Sequence, residues 1–297
     1  MKFTAKMFAM VLALSVATNG YACTEDGTEG IAPENDLFIP ANIKGLKTGI
    51  SEEKFNEVID KVSAVYAPII SSMGARLNVE RNWEDGTVNA YASRSGNTWN
   101  VAMFGGLARH ATITEDGFAL VVCHEIGHHI GGAPKKGGGW FGGITWASNE
   151  GQSDYFATLK CLRKVFITED NAAVIASMNI PETLRTSCST AYTSTDDQNI
   201  CIRGGMAGMS VSKLFQALRN ATVEPKFDTP DPRVVTATDH NHPAYQCRLD
   251  TYFQGALCEV SENDNVSDTD EKAGTCNLST GHTSGIRPLC WLKPVAN

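Results

Sequence analysis

Along residues 51–73, apolar side chains return every three or four positions: Phe55, Val58, Ile59, Val62, Val65, Tyr66, Ile69 and Ile70. That period predicts an amphipathic helix with one face in a core. Ser51 suits the cap, Glu52 and Glu53 the first turn, and Ile50 can staple onto Phe55. Pro68 should kink this helix or end it early. The period then shortens to two. Leu77, Val79 and Arg81 alternate with polar neighbours, Asp85-Gly86 reads as a turn, and TVNAYASR and TWNVAMFGG flank Ser95-Gly96-Asn97 as the arms of a hairpin. The strand over 98–104 reads either as a sheet edge, onto which an extended peptide could add, or as an ordinary strand flanking the core.

Helical spacing returns after Gly105-Gly106 and a short link. Thr112-Ile113-Thr114-Glu115 is a capping-box pattern in which Thr114 competes for the cap, and the helix it opens stops at Gly131-Gly132, with Pro134 beyond. A second helix spans 148–164, with Tyr155, Phe156, Leu159 and Leu162 on its apolar side. Between the two lies GGAPKKGGGWFGG, 131–143, which holds Trp140 and Phe141 and is either a plain linker or a mobile flap. Later helices fit 170–178, 210–221 and 243–257. The polar tail from Glu259, with the acidic run SENDNVSDTDE, reads as a solvated loop tied by Cys276 and Cys290. There is no internal repeat.

Composition adds a compartment. Lys2 and Lys6, the apolar run Met7 to Ala17 and the small residues Gly20 and Ala22 form a signal-peptide pattern over 1–22. The run is too short to span a membrane, which takes about 20 apolar residues. A secreted or periplasmic chain starting near Cys23 is expected, with lipid anchoring through Cys23 as the weaker alternative. Loss of Lys2 and Lys6 takes the formal charge from −8 to −10, which argues against nucleic acid and anionic membranes as partners. All nine cysteines lie beyond residue 22, and an oxidising compartment should pair most of them. Spacing suggests Cys188 with Cys201, Cys247 with Cys258 and Cys276 with Cys290, and Cys161 is a candidate partner for Cys123.

The chemistry concentrates in CHEIGHHIGG, residues 123–132. On a helix His124 and His128 share a face one turn apart, where two neutral imidazoles can bind one Zn²⁺. Glu125 sits about 100° round, beside the metal, where a general base for a metal-bound water belongs. His129 is rotated away from His128 and reads as a packing or surface histidine; Cys123 points away as well, as a buried thiol or half of a disulfide. Chance produces HExxH in about one chain of this size in a hundred, so the second helix matters. There Glu150 and Asp154 lie four apart. Glu150 can supply the third ligand that a catalytic zinc takes, and Asp154 can accept a hydrogen bond from a ligand histidine. The bland alternative for these two acids is a capped, solvated first turn.

HEIGH followed by Asn149-Glu150-Gly151-Gln152-Ser153-Asp154 resembles the gluzincin metallopeptidases, and within them soluble relatives of the CAAX prenyl protease and the HtpX-type peptidases. Val88 to Ser93, Thr98 to Phe104 and Gly106-Leu107 follow that family's order, and His242-Pro243 with Arg248 resembles its later His-Pro motif. The likeness covers roughly 51–258 and is strong around 88–157. The glycine-rich insertion, the many cysteines and the lack of membrane helices depart from it and bear on the substrate. The resemblance implies metal ligands His124, His128 and Glu150, general base Glu125, and Asp154 supporting a ligand. It also offers His242 as oxyanion donor, with His240 and Arg248 as rivals; otherwise His242 merely precedes Pro243 at a helix start.

The expectation is an α+β, zincin-like fold: a small sheet beside two metal-bearing helices, with a disulfide-bonded helical C-terminal part. Its divisions are a signal segment 1–22, an extension 23–50, a peptidase domain 51–258 and a tied tail 259–297. The expected activity is zinc-dependent hydrolysis of unfolded or extended polypeptide. A zinc-stabilised binding or chaperone-like module and a zinc amidase acting on cell-wall peptides are the alternatives.

Overall fold

The computed structural model describes residues 20–21, 30–41, 49–137 and 144–294. The N-terminal signal pattern, apart from the backbone of Gly20 and Tyr21, lies outside them, as do Cys23, Trp140 and Phe141. Helix α1, Glu52–Ser72, starts where the capping pattern places it, with Ser51 Oγ accepting from Lys54 N at 3.2 Å. Its buried face is Phe55, Val58, Ile59, Val62, Tyr66 and Ile70. The helix continues a full turn past Pro68. Pro68 and Ala64, whose carbonyl loses its partner there, both lie on the exposed face, so water can satisfy it.

One sheet has strand order β1, β3, β4, β2, from Gly20–Tyr21, Ala90–Ser95, Thr98–Phe104 and Arg76–Asn82. Strands β3 and β4 form the expected antiparallel hairpin, closed at Ser95↔Thr98. Strand β4 is not an edge. Strand β2 runs parallel to it along its whole length, from Arg76↔Thr98 to Asn82↔Phe104. A strand carrying buried Val101, Ala102 and Met103 gains by being covered on both sides, so the core-flanking reading holds. The edge strands are β2 and the two-residue β1, which pairs with β3 only at Gly20↔Arg94 and Tyr21↔Ser93 and leaves the start of β3 uncovered by it.

The short link after Phe104 is helix α2, Gly105–Arg109. Helix α3, Glu115–Ile130, is capped by Thr114, whose Oγ1 accepts from Gly117 N at 3.0 Å, and ends at Gly131. Every residue from Asp116 to His129 is buried. A helix apolar on most sides belongs in the middle of a fold, and α3 touches α1, β3, β4 and several later elements, of which three frame the site. These are the hairpin strand β6, Ile144–Ser148, which pairs with β5, Lys135–Gly137; helix α4, Glu150–Phe156; and helix α8, Thr195–Leu218. Asn149, not Ser148, caps α4, accepting from Gln152 N at 2.8 Å. Helix α4 runs through a π turn, Ala157–Cys161, into α5, Leu162–Phe166.

The remaining helices are α6, Asn171–Ala176, α7, Glu182–Ala191, and α9, Tyr245–Leu257. Helix α7 escaped the sequence pattern because only Leu184 and Cys188 of it are buried. Helix α8 begins fifteen residues ahead of its expected start: the stretch before 210 reads as polar and glycine-rich, yet Gly205 and Gly208 there lie against Leu184 and Tyr252.

Four disulfides join Cys123 to Cys161, Cys188 to Cys201, Cys247 to Cys290 and Cys258 to Cys276. The last two correct the expected Cys247–Cys258 and Cys276–Cys290 pairs. Helix α9 holds Cys247 and Cys258 at its two ends. Eleven helical residues separate them by about 16 Å, far beyond the reach of a disulfide. The C-terminal tail is therefore tied to both ends of α9. It is also partly core: Trp291 is fully buried, and Arg287 is buried with Nη1 donating to Gln152 Oε1 at 2.9 Å. The molecule is thus a mixed α+β fold with small sheets and a disulfide-bonded helical C-terminal part.

Candidate metal centre

Helix α3 presents His124 and His128 on one face, with ring centroids 4.7 Å apart and planes at 89°. Helix α4 crosses it closely at Gly127, where a Cβ would sit 3.1 Å from Ser153 Cα. The crossing brings Glu150 to the histidines: Oε2 lies 3.2 Å from His124 Nε2 and Oε1 lies 3.6 Å from His128 Nε2. Two donors about 2.1 Å from a tetrahedral metal are about 3.4 Å apart, so the three groups have the spacing of a ligand set. One donor atom from each lies within 4.8 Å of the others, and all three residues are fully buried.

The outer ring atoms fix how the inner ones present themselves. His128 Nδ1 donates to the Ser148 carbonyl at 2.8 Å and also lies 3.0 Å from Ser153 Oγ. His124 Nδ1 lies 2.7 Å from Asp154 Oδ1. In the neutral form of each ring, a proton on Nδ1 leaves the Nε2 lone pair for a metal. Both Nε2 atoms are buried and face Glu150, His124 Nε2 at 3.2 Å from Oε2 and His128 Nε2 at 3.6 Å from Oε1. Two imidazole nitrogens and a carboxylate converging within 4.8 Å are a donor set of the right types, so these residues fit a metal ion.

Asp154 is held in turn. Arg248 on α9 grips it through Nε to Oδ2 and Nη2 to Oδ1, both 2.7 Å, and Tyr252 one turn on donates to Oδ1 at 2.6 Å. Burial alone would raise the Asp154 pKa, but Arg248 and His124 bring it below the usual carboxylate value. His124 moves the other way. Burial would lower it, yet Asp154 and Glu150 raise it to about 9. Burial sends His128 well below an ordinary histidine, so that ring is neutral. Glu150 stays charged despite burial because Lys136, His242 and His128 surround it. Lys136 on β5 is the nearest cation, with Nζ 2.8 Å from Glu150 Oε1. Glu125 is fully buried, and among the described residues none makes a hydrogen bond to either carboxylate oxygen. Burial pushes it up to about 8, against the pull of His124 and Lys136 and with a further push from Glu150.

His242 comes to the same place: Nε2 lies 3.5 Å from Glu150 Oε2 and donates to the Gly30 carbonyl at 2.7 Å. Its rivals are engaged elsewhere. Arg248 is committed to Asp154, and His240 Nδ1 lies 3.3 Å from the Asn149 side-chain amide. His129 is a packing residue. Its ring stacks between Trp99 and Trp146, its Nδ1 accepts from Arg94 Nε at 3.2 Å and its Nε2 donates to the Asn100 carbonyl at 3.1 Å.

Lys136, Tyr252 and the Ser148 carbonyl did not stand out in the sequence. Tyr252 lies four residues from Arg248 on a predicted helix, a spacing that could have singled it out. Nothing local distinguishes Lys136 from Lys135. A second His/Cys/Asp/Glu group, Asp231 with Cys247 and Cys290, is no metal site, because its two sulfurs are joined to each other. Neither family models, nor curated proteins, nor solved structures give a match to this chain.

Proposed function

We propose that the chain is a zinc metalloendopeptidase of gluzincin, zincin-like type, with His124, His128 and Glu150 as ligands and Glu125 as general base. One observation carries the reading: a set of three convergent protein ligands lies beside a buried carboxylate that no hydrogen bond neutralises. A structural zinc takes four protein ligands and no base, which disfavours the binding-module alternative. Bound here, zinc would polarise the scissile carbonyl and acidify its water. Glu125 would take the water's proton and hand it to the leaving amine. His242 Nε2–H is the protein's donor to the developing oxyanion. Asp154, clamped by Arg248 and Tyr252, fixes the His124 tautomer and ring.

The substrate class we propose is extended polypeptide in an oxidising, extracytoplasmic compartment. Four disulfides fit such a compartment, and no helix among the described residues is long and apolar enough to cross a membrane. The test is incubation of an unfolded protein with zinc-loaded residues 23–297, beside Glu125→Gln. Chelator-sensitive fragments from the wild type alone are expected. Equal cleavage by the Gln variant removes Glu125 from the mechanism, and no cleavage by either, before or after limited N-terminal proteolysis and with one zinc bound, returns the binding module.

A further inference from the structure

Residues Gly30–Ala32 run along the outer edge of β3 and meet the metal centre there. Ile31 N–H donates to the Ala90 carbonyl at 2.8 Å, as a paired strand would. Ala32 exchanges two hydrogen bonds with the Asn89 amide, both 3.2 Å. The Gly30 carbonyl takes the Nε2–H of His242 at 2.7 Å, and Arg248 Nη1 donates to the Ile31 carbonyl. One peptide unit, Gly30–Ile31, is thus held by its N–H on a strand edge and by its C=O on a histidine 3.5 Å from Glu150. Ile31 and Ala32 are fully buried. The fit at Gly30 admits no side chain: a Cβ there would stand 1.8 Å from the Ala90 carbonyl oxygen. Pro33, Glu34 and Asn35, the next residues, wall a cavity of about 370 Å³ that His242 lines from the other side.

A peptidase grips an extended substrate in the same two ways, through main-chain bonds to a strand edge and a donor on the scissile carbonyl. We propose that Gly30–Ala32 is a built-in substrate mimic. It keeps the chain latent until it is displaced, and it reports the preferred substrate: an extended segment with glycine followed by an apolar residue. This rests on the peptidase reading above. An ordinary N-terminal strand would have no reason to engage His242, the group assigned to the oxyanion.

The test separates the two ideas. A fluorescent peptide of residues 28–36 is titrated by anisotropy, without metal, against residues 23–297, against Gly30→Val, and against a chain nicked after folding at a protease site placed over exposed Leu37 and Phe38. The intact chain should bind the peptide at least tenfold more weakly than either opened form, and a peptide carrying Gly30→Val should bind none of them. Equal binding by intact and nicked chains overturns the mimic, and the nicked chain decides alone if Gly30→Val does not fold. With zinc, the opened forms should cleave unfolded polypeptide at least tenfold faster. Peptide binding without cleavage by any form upholds the mimic and sinks the peptidase. Cleavage by the intact chain at the rate of the opened ones does the reverse.

Discussion

Each candidate ligand histidine is oriented by its outer nitrogen, His124 on Asp154 and His128 on the Ser148 carbonyl. Asp154→Asn weakens the His124 bond and leaves Arg248 buried without its counter-charge. Breaking a buried pair from one side costs about 3–5 kcal/mol, read by denaturant unfolding, and loss of such a support lowers metal affinity about 10–100-fold, read by competition with a chelator. Unchanged affinity would remove Asp154 from the site. In the metal-free chain, Glu125 is raised from 4.5 to about 8 and His124 from 6.5 to about 9. In both cases the folded state holds a proton that the unfolded chain releases first. Stability from these groups is therefore present below the unfolded values and lost as pH rises through 8 and 9. Metal-free Glu125→Gln should lose less stability than wild type between pH 6 and 9 in unfolding titrations. Parallel curves would mean that Glu125 is ionised throughout.

Among the elements, the crossing of α3 and α4 decides the site, because each supplies ligands the other lacks. The Cys123–Cys161 bond ties α3 to the π turn that continues α4. Replacing both cysteines by alanine should cost about 2–4 kcal/mol and weaken metal binding as the two helices gain freedom. A loss of stability with unchanged affinity would make the bond a staple only. Gly127→Ala tests the same crossing from within, since its Cβ would press on Ser153 at 3.1 Å. Overpacking of this kind costs about 1–3 kcal/mol, and Glu150 should move away from the histidines, seen as weaker zinc binding by calorimetry.

For the whole molecule, metal and fold would be coupled, because the three fully buried candidate ligands come from helices that a metal would bridge. A ligand that binds only the native state stabilises it by about 2.7 kcal/mol at a hundredfold excess over its Kd. Thermal unfolding should shift upward with zinc, and His124→Ala should abolish the shift. A persisting shift of the same size would place the metal elsewhere. Proton release should accompany zinc uptake near pH 7.5, because His124 must lose its proton to bind; calorimetry in buffers of different ionisation enthalpy measures it.

Local pattern was enough for α1, the β3–β4 hairpin and the paired i, i+4 residues on α3 and α4, because period is a property of neighbours along the chain; it left Thr112 and Thr114 competing as the cap of α3, and the structure takes Thr114. Residue type and helical spacing alone put His124, Glu125 and His128 together, and they named Glu150 and Asp154 as what a second helix could add. Three things required the folded chain. Strand β4 became central only when β2 docked beside it. The cysteines of α9 paired outward because a rigid helix holds its ends apart. Lys136, Tyr252 and Gly30 reached the metal centre from distant segments. Sequence determines what a stretch can offer over a few turns; which offers meet depends on long-range packing, where no local period carries the information.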